Sequence, residues 1–266
     1  MYNTSKLVFS PRVRKSPYFN STIKYGATAF SVYNHMYMPV TYNGTTEDYK
    51  KLLDGVQLWD VGVERQVQIK GPDAETLSQL LTPRNIKKCS IGQAMYTPLT
   101  DFNGRLINDP VMLKIEKDCY WFSVSDGDLL LWAQGIAAGY KFDVDVVEPD
   151  VSPLQVQGPN SKKLMTKVFG DWVNDLGFYK FKAVDHEGIP MVVARMGYSK
   201  ELCYEIFLQD HSKGNELWEI LWQAGQDLNI SPGSPNIILR LEGGILSYLA
   251  DIDRTNNPYE VGLDWI

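Results

Sequence analysis

Hydrophobic and polar positions of this chain follow two interleaved rules, a period of two over short runs and helical spacing over longer ones. Val56 to Ile69 reads as strands and ends in the alternating Val67-Gln68-Ile69. Gly71-Pro72-Asp73-Ala74 then opens a helix through Leu81, with proline suited to the first helical turn. The same order returns at Leu154-Gln155-Val156-Gln157, followed by Gly158-Pro159-Asn160-Ser161 and an amphipathic helix to Phe169. Repetition of strand, Gly-Pro and helix points to two similar α/β units, although such junctions are common. Between them, Ala94 to Pro98, Arg105 to Glu116 and Tyr120 to Ser125 read as consecutive strands of an antiparallel sheet. Asp126 is expected to cap a helix through Gly139, and Phe142 to Val147 to form a further strand before the turn Glu148-Pro149-Asp150.

Residues 11–43 carry Tyr18, Phe19, Tyr25, Phe30, Tyr33, Tyr37 and Tyr42 at a spacing that is neither helical nor alternating. Such aromatics either pack a core or line a pocket. Thr45 or Thr46 is expected to cap a helix whose first turn is acidic. In the second half, Pro190 to Arg195 and Tyr204 to Leu208 look like paired strands, Glu216 to Leu228 a helix with one apolar face, and Ile237 to Leu249 a last helix. The whole predicts an α+β fold of mixed, largely antiparallel sheets with helices rather than a doubly wound sheet.

Composition narrows the function classes. With 44% hydrophobic and 22% charged residues, the chain of 266 can bury a substantial core. A net charge of −6 and no Lys/Arg-dense stripe argue against nucleic-acid binding. The cluster Arg12-Val13-Arg14-Lys15 reads as a solvated arm. Cys89, Cys119 and Cys203 are widely spaced without a CxxC pair, which suits a reducing compartment. Met1 to Ser10 lacks a run apolar enough for a signal peptide, and no uninterrupted apolar span suits a membrane, so a cytoplasmic location is expected. His35, His186 and His211 are too scattered to propose a metal site, and phosphate-loop, dinucleotide-glycine and Gly-x-Ser-x-Gly motifs are lacking.

One local feature offers chemistry. Asp101-Phe102-Asn103-Gly104 favours a tight turn, and Arg105-Leu106-Ile107-Asn108-Asp109-Pro110 leads from it into the apolar Val111 to Ile115. Pro110 cannot donate a ladder hydrogen bond, so the strand is expected to start at an edge or bulge, where Asp109 can face a cavity. Taken locally, Asp and Asn beside Gly and Pro are ordinary turn residues.

Several separated stretches resemble the folate-dependent aminomethyltransferase family. They are Leu58-Trp59-Asp60-Val61, Gly104 to Asp109, Gly197-Tyr198, Tyr204-Glu205-Ile206, Arg240-Leu241-Glu242-Gly243-Gly244 and Asn257-Pro258-Tyr259-Glu260-Val261-Gly262-Leu263, in the family's order. Within it, the closer resemblance is to the branch that demethylates dimethylsulfoniopropionate, on Val32-Tyr33-Asn34-His35-Met36, Glu64-Arg65-Gln66-Val67-Gln68-Ile69, Ile107-Asn108-Asp109-Pro110, Ser199-Lys200 and Pro235-Asn236-Ile237-Ile238. Glycine cleavage relatives typically carry Ala-Arg-Asp at that last stretch, and Asn236 stands in place of a ligand-binding arginine.

The resemblance implies two similar α/β units around a central opening that holds tetrahydrofolate. Residues 1–150 and 151–266 would be the first and second parts of the folate-binding domain, intertwined, with the family's C-terminal β-barrel domain lacking. It implies methyl transfer from a small-molecule sulfonium donor to tetrahydrofolate, with Asp109 as the catalytic carboxylate. Glu205, Tyr198, Tyr96 and Ser125 would bind the folate, and Tyr33 and His35 the donor, without a metal, nucleic acid or membrane. Arg240 and Glu242 read as a structural ion pair or as ligands. Three alternatives remain: an aminomethyltransferase working with a lipoyl carrier protein, a non-catalytic folate-binding protein, and an O-demethylase of aromatic methyl ethers. The Lys-Gly-Cys-Tyr motif of folate-binding maturation relatives does not occur.

Overall fold

The computed structural model describes residues 9–266, so most of the Met1–Ser10 stretch lies outside the described residues. A short helix, α1 (Phe19–Lys24), precedes a hairpin of β1 (Ala29–Tyr33) and β2 (Met36–Thr41). The hairpin turn is Asn34-His35, with both residues at positive φ (49° and 61°), as a type I′ turn requires. The aromatic segment without a clear period is therefore a hairpin, and Phe19, Phe30 and Tyr37 pack on one another across it. Arg14 is not a free arm residue: its guanidinium meets Glu148 at 2.9 Å.

Helix α2 (Thr45–Asp54) has Gly44 rather than Thr45 or Thr46 at its N-cap. It is followed by β3 (Val56–Asp60), β4 (Gln66–Lys70), α3 (Ala74–Leu80), β5 (Gln93–Tyr96), β6 (Leu99–Thr100), β7 (Leu106–Asn108), β8 (Val111–Glu116) and β9 (Cys119–Ser123). Then come α4 (Leu129–Tyr140), β10 (Asp145–Val147), β11 (Ser152–Gln157), α5 (Ser161–Phe169), β12 (Phe181–His186), β13 (Ile189–Ala194), β14 (Cys203–Leu208), α6 (Gly214–Ala224), β15 (Ile230–Gly233) and α7 (Ile237–Glu242).

Other expected boundaries move as well: the strand read over Arg105 to Glu116 is broken at Asp109-Pro110 into β7, which pairs with β6 in a separate two-stranded sheet, and β8. The N-cap of α4 is Asp128, because Asp126 is drawn away to accept the backbone N–H of Asn34 at 2.8 Å. Helix α6 stops at Ala224, with Gly225 at its end. Helix α7 ends at Glu242 rather than Leu249, because Gly243 and then Gly244, at φ 64°, turn the chain out of the helix.

Two sheets carry the architecture. The first has the order β10-β4-β9-β8-β5 and is antiparallel throughout; the second has the order β12-β13-β14-β11-β3-β15, with only β15 and β3 parallel. Each sheet covers one face with two helices. Val67, Ile69, Met112, Tyr120 and Phe122 pack under Leu77 of α3 and Ala133 of α4, while Leu58, Val156, Val193 and Ile206 pack under Leu164 of α5 and Trp218 of α6. The opposite faces meet each other, with Ala94, Leu113 and Trp121 against Val192, Ala194 and Phe207. Strands β9, β11 and β14 are thus buried on both sides, which explains the largely apolar sequence of β9 and β14; β11 keeps Gln155 and Gln157 on the face turned away from the helices.

The repeated Gly-Pro steps have a steric cause. A side chain at Gly71 (φ 143°) would lie 2.6 Å from the Asp143 carbonyl oxygen, and one at Gly158 (φ 112°) 2.7 Å from that of Gly55. Each glycine lets the chain leave a strand tightly and start the helix that covers its own sheet. The chain crossing at residues 61–65, from β3 to β4, and the loop at residues 124–128 after β9 deliver side chains to the gap.

Candidate active site

Period two decides which side chains reach the gap between the sheets. On β14, Tyr204, Ile206 and Leu208 join the helix-covered core, so Glu205 projects the other way. Its register partner on β11 is Gln155, which donates to Glu205 Oε2 at 3.4 Å. Glu205 is 2% exposed, and its Oε1 has no hydrogen-bond partner among the described residues. Burial, and then the nearby charge of Glu64, push its carboxyl well above the usual range.

From the facing sheet comes Asp109, between β7 and β8. Pro110 is not at a sheet edge, since β8 lies between β9 and β5; it sits in the connection just ahead of the strand. Asp109 is 8% exposed and accepts from Ser125 Oγ at 2.5 Å and from the Tyr96 hydroxyl at 3.1 Å. Burial pushes its pKa up to about 6, with both hydroxyls opposing the rise. Asn108 holds Ser125 in turn, accepting its backbone N–H at 3.0 Å and donating to its carbonyl at 3.0 Å.

The β1–β2 hairpin is stapled to the same loop. Asn34 is 2% exposed, and its Nδ2 donates to the carbonyls of Val63 (3.0 Å), Val124 (3.2 Å) and Ser125 (3.2 Å). Its Oδ1 accepts the backbone N–H of Gly127 at 2.8 Å. One side chain therefore ties the hairpin to the loop that carries Ser125 and to the crossing that carries Glu64.

Glu205, Gln155 and Asp109 line one cavity of about 310 Å³ with Tyr33, Tyr96, Tyr179, Tyr198, Tyr248, Glu64, Ser125 and Arg240. A second cavity of about 620 Å³ shares Tyr96, Tyr179, Ile245 and Leu246 with it and extends to Arg84 and Trp265. Arg84 lies over the Trp265 ring at 4.9 Å, and that ring stacks beside Tyr96.

Of the residues expected from the sequence, Asp109, Tyr96, Ser125, Glu205, Tyr198 and Tyr33 gather at the first cavity. His35 does not. As the second residue of the hairpin turn it projects into solvent, with its imidazole 3.5 Å from Asp128. Arg240 and Glu242 do not pair with each other: Arg240 Nη1 meets Asp251 Oδ2 at 2.5 Å, and Glu242 binds Lys200 at 2.6 Å and the Tyr49 hydroxyl. Asn236 caps α7 by accepting from the backbone of Ile238 and Leu239.

Sequence reasoning missed Glu64, Asn34 and Tyr179. Glu64 owes its position to the crossing from β3 to β4, Asn34 to the hairpin turn and Tyr179 to the segment ahead of β12; the weak signals were a carboxylate four residues after Asp60 and an asparagine fit for a type I′ turn.

Comparison with known proteins places this geometry. Residues 18–266 match the GCVT N-terminal domain family. The chain is 45% identical over 254 residues to dimethylsulfoniopropionate demethylase DmdA of Ruegeria pomeroyi, covering 96% of this chain and 70% of that protein. It is 30% identical to an aminomethyltransferase of Halothermothrix orenii, over 95% of this chain and 71% of the relative. The fold matches the glycine cleavage system aminomethyltransferase T of Bartonella henselae with a TM-score of 0.83 at 21% identity, covering 95% of this chain and 69% of that one. The chain belongs to the GCVT family, the folate-dependent aminomethyltransferase family.

Proposed function

We propose that this chain transfers a methyl group from dimethylsulfoniopropionate, or a sulfonium donor very like it, to tetrahydrofolate. Membership of the family makes it a tetrahydrofolate-dependent methyl-transferring enzyme, and the 45% identity to a demethylase of that donor supports the finer reading. The observation that carries the proposal is the buried pair of carboxyls facing one cavity: Glu205 with an unpartnered oxygen, and Asp109 held by two hydroxyls.

These residues fit a folate. The free Oε1 of Glu205 suits an N–H donor of an aminopyrimidine ring, and a carboxylate accepts such donors in pairs. Tyr198 and Tyr96 would flank the ring, and Ser125 and Tyr96 fix the rotamer of Asp109. When bound, tetrahydrofolate supplies a nucleophilic amine nitrogen. The protein's own part is placement and charge. Displacement at a sulfonium methyl already has a neutral thioether as leaving group, so alignment and exclusion of water are the main requirements. Asp109, once ionised, stabilises positive charge developing on the acceptor or takes its proton. Tyr33 offers an aromatic face to the sulfonium.

The aminomethyl alternative gains support from the 30% identity to aminomethyltransferases. Asn236 weighs against it: its side chain is spent on capping α7, where those relatives typically carry a ligand-binding arginine. The deciding experiment incubates the protein with tetrahydrofolate and each candidate donor and identifies the folate product. Methyl-tetrahydrofolate formed with the sulfonium, and abolished in Asp109→Asn, is the expected result. Methylene-tetrahydrofolate formed with an aminomethyl-lipoyl carrier overturns the reading, and so does turnover unaffected by Asp109→Asn.

A further inference from the structure

The cavity holds a third carboxyl that neither the folate nor Asp109's partners account for. Glu64 sits in the crossing between β3 and β4, where its backbone N–H bonds to the Val61 carbonyl at 2.8 Å, and its side chain lines the cavity beside Asp109 and Glu205. Among the described residues, the groups that act on it most are Asp109, which opposes its ionisation, and the Ser123 hydroxyl, which favours it. The cavity's one lining guanidinium, Arg240, is already engaged by Asp251. The three carboxyls are not grouped to hold a metal ion among the described residues. Glu205 meanwhile keeps a buried oxygen unpartnered at this same cavity, the mark of a site that awaits a ligand.

We infer that Glu64 is the specificity-determining counter-charge for an onium donor, recognising the positive sulfur that a neutral thioether lacks. The inference rests on the donor class proposed above and adds the residue that selects it. Ionising a carboxyl beside two others in a low-dielectric gap is unfavourable, and an entering cation offsets that cost. A sulfonium or quaternary ammonium suits the gap because it carries charge without N–H donors, and Tyr33 and Tyr198 line the same cavity.

The site is also proton-coupled. Burial and Asp109 hold the Glu64 carboxyl protonated up to about 8, with Glu205, Tyr33 and Tyr198 also within its electrostatic reach. A bound cation favours the ionised form, so onium affinity should strengthen as pH rises toward that value, above a lower limb set by Asp109.

The test is calorimetric binding of dimethylsulfoniopropionate, its trimethylammonium isostere and 3-methylthiopropionate to wild type, Glu64→Gln and Glu64→Asp, without tetrahydrofolate. Wild type should prefer the two cations over the thioether by about tenfold or more. Glu64→Gln should lose that preference and its pH slope up to about 8, with a cooperative thermal unfolding transition showing that the variant is folded. Glu64→Asp should retain a preference. A preference that survives intact in Glu64→Gln overturns the role of Glu64 while leaving the donor class standing. Equal binding of cation and thioether by wild type overturns both.

Discussion

Replacing Asn34 with alanine removes four hydrogen bonds at once and leaves a β-carbon at φ 49°. The three carbonyls share one amide nitrogen, so the loss is less than four full bonds, about 2–3 kcal/mol. Alanine in the left-handed region adds about 1 kcal/mol. Together these predict a loss of about 3–4 kcal/mol and a fall in Tm of about 10 °C. Asn34→Gly separates the two contributions, since glycine accepts the positive φ and loses only the hydrogen bonds. Urea unfolding of both variants measures the difference. Catalysis gives a second readout: once Asn34 no longer fixes residues 124–127, Ser125 donates less well to Asp109, and the acid limb of kcat should move above its expected position near pH 6. Both variants remaining within about 1 kcal/mol of wild type would refute the staple, as would Asn34→Gly behaving as wild type while alanine alone destabilises.

Three further outcomes are expected. Glu205→Gln keeps the shape but loses the charged acceptor, and should weaken tetrahydrofolate binding, read by fluorescence titration, by about tenfold to a hundredfold. Stability should fall as pH rises from about 5 toward 8, because a carboxyl whose folded pKa lies above its unfolded value binds its proton more tightly in the native state; Glu64 at about 8 spans that window, and Glu64→Gln should flatten the upper part of a Tm-against-pH curve. Asp251→Ala strands the buried Arg240 guanidinium and should cost about 3 kcal/mol in chemical unfolding, against little effect from Glu242→Ala, whose ion pair with Lys200 is exposed.

Legibility in the sequence followed the range of the interactions. Helices α3 and α5 and the strands before them were readable because Gly71-Pro72 and Gly158-Pro159 act locally. The end of α7 was misjudged because the apolar pattern of Ile245 to Leu249 continues past a glycine pair that stops the helix. The β1–β2 hairpin was hidden by Pro39 and by aromatics on both faces, although Asn34 at the turn was a usable signal. Asp109 and Glu205 were reached through motif resemblance, whereas Glu64 looks like any polar residue after a strand. Its significance arises when the chain passes from one sheet to the other and sets it beside Asp109 and Glu205, which lie far along the sequence.

Strand β3 has a kinetic consequence. Its neighbours are β11, through Leu154 opposite Asp60, and β15, through Ile230 beside Val56. During synthesis it therefore emerges with neither partner made, and one of its edges stays unpaired until residues 230–233 have left the ribosome. Folding that waits on such distant pairing is slow, and an apolar strand with open edges invites association with other chains meanwhile. Chaperone dependence and yield at low temperature should thus be governed by the late arrival of β15 rather than by the stability of the finished fold.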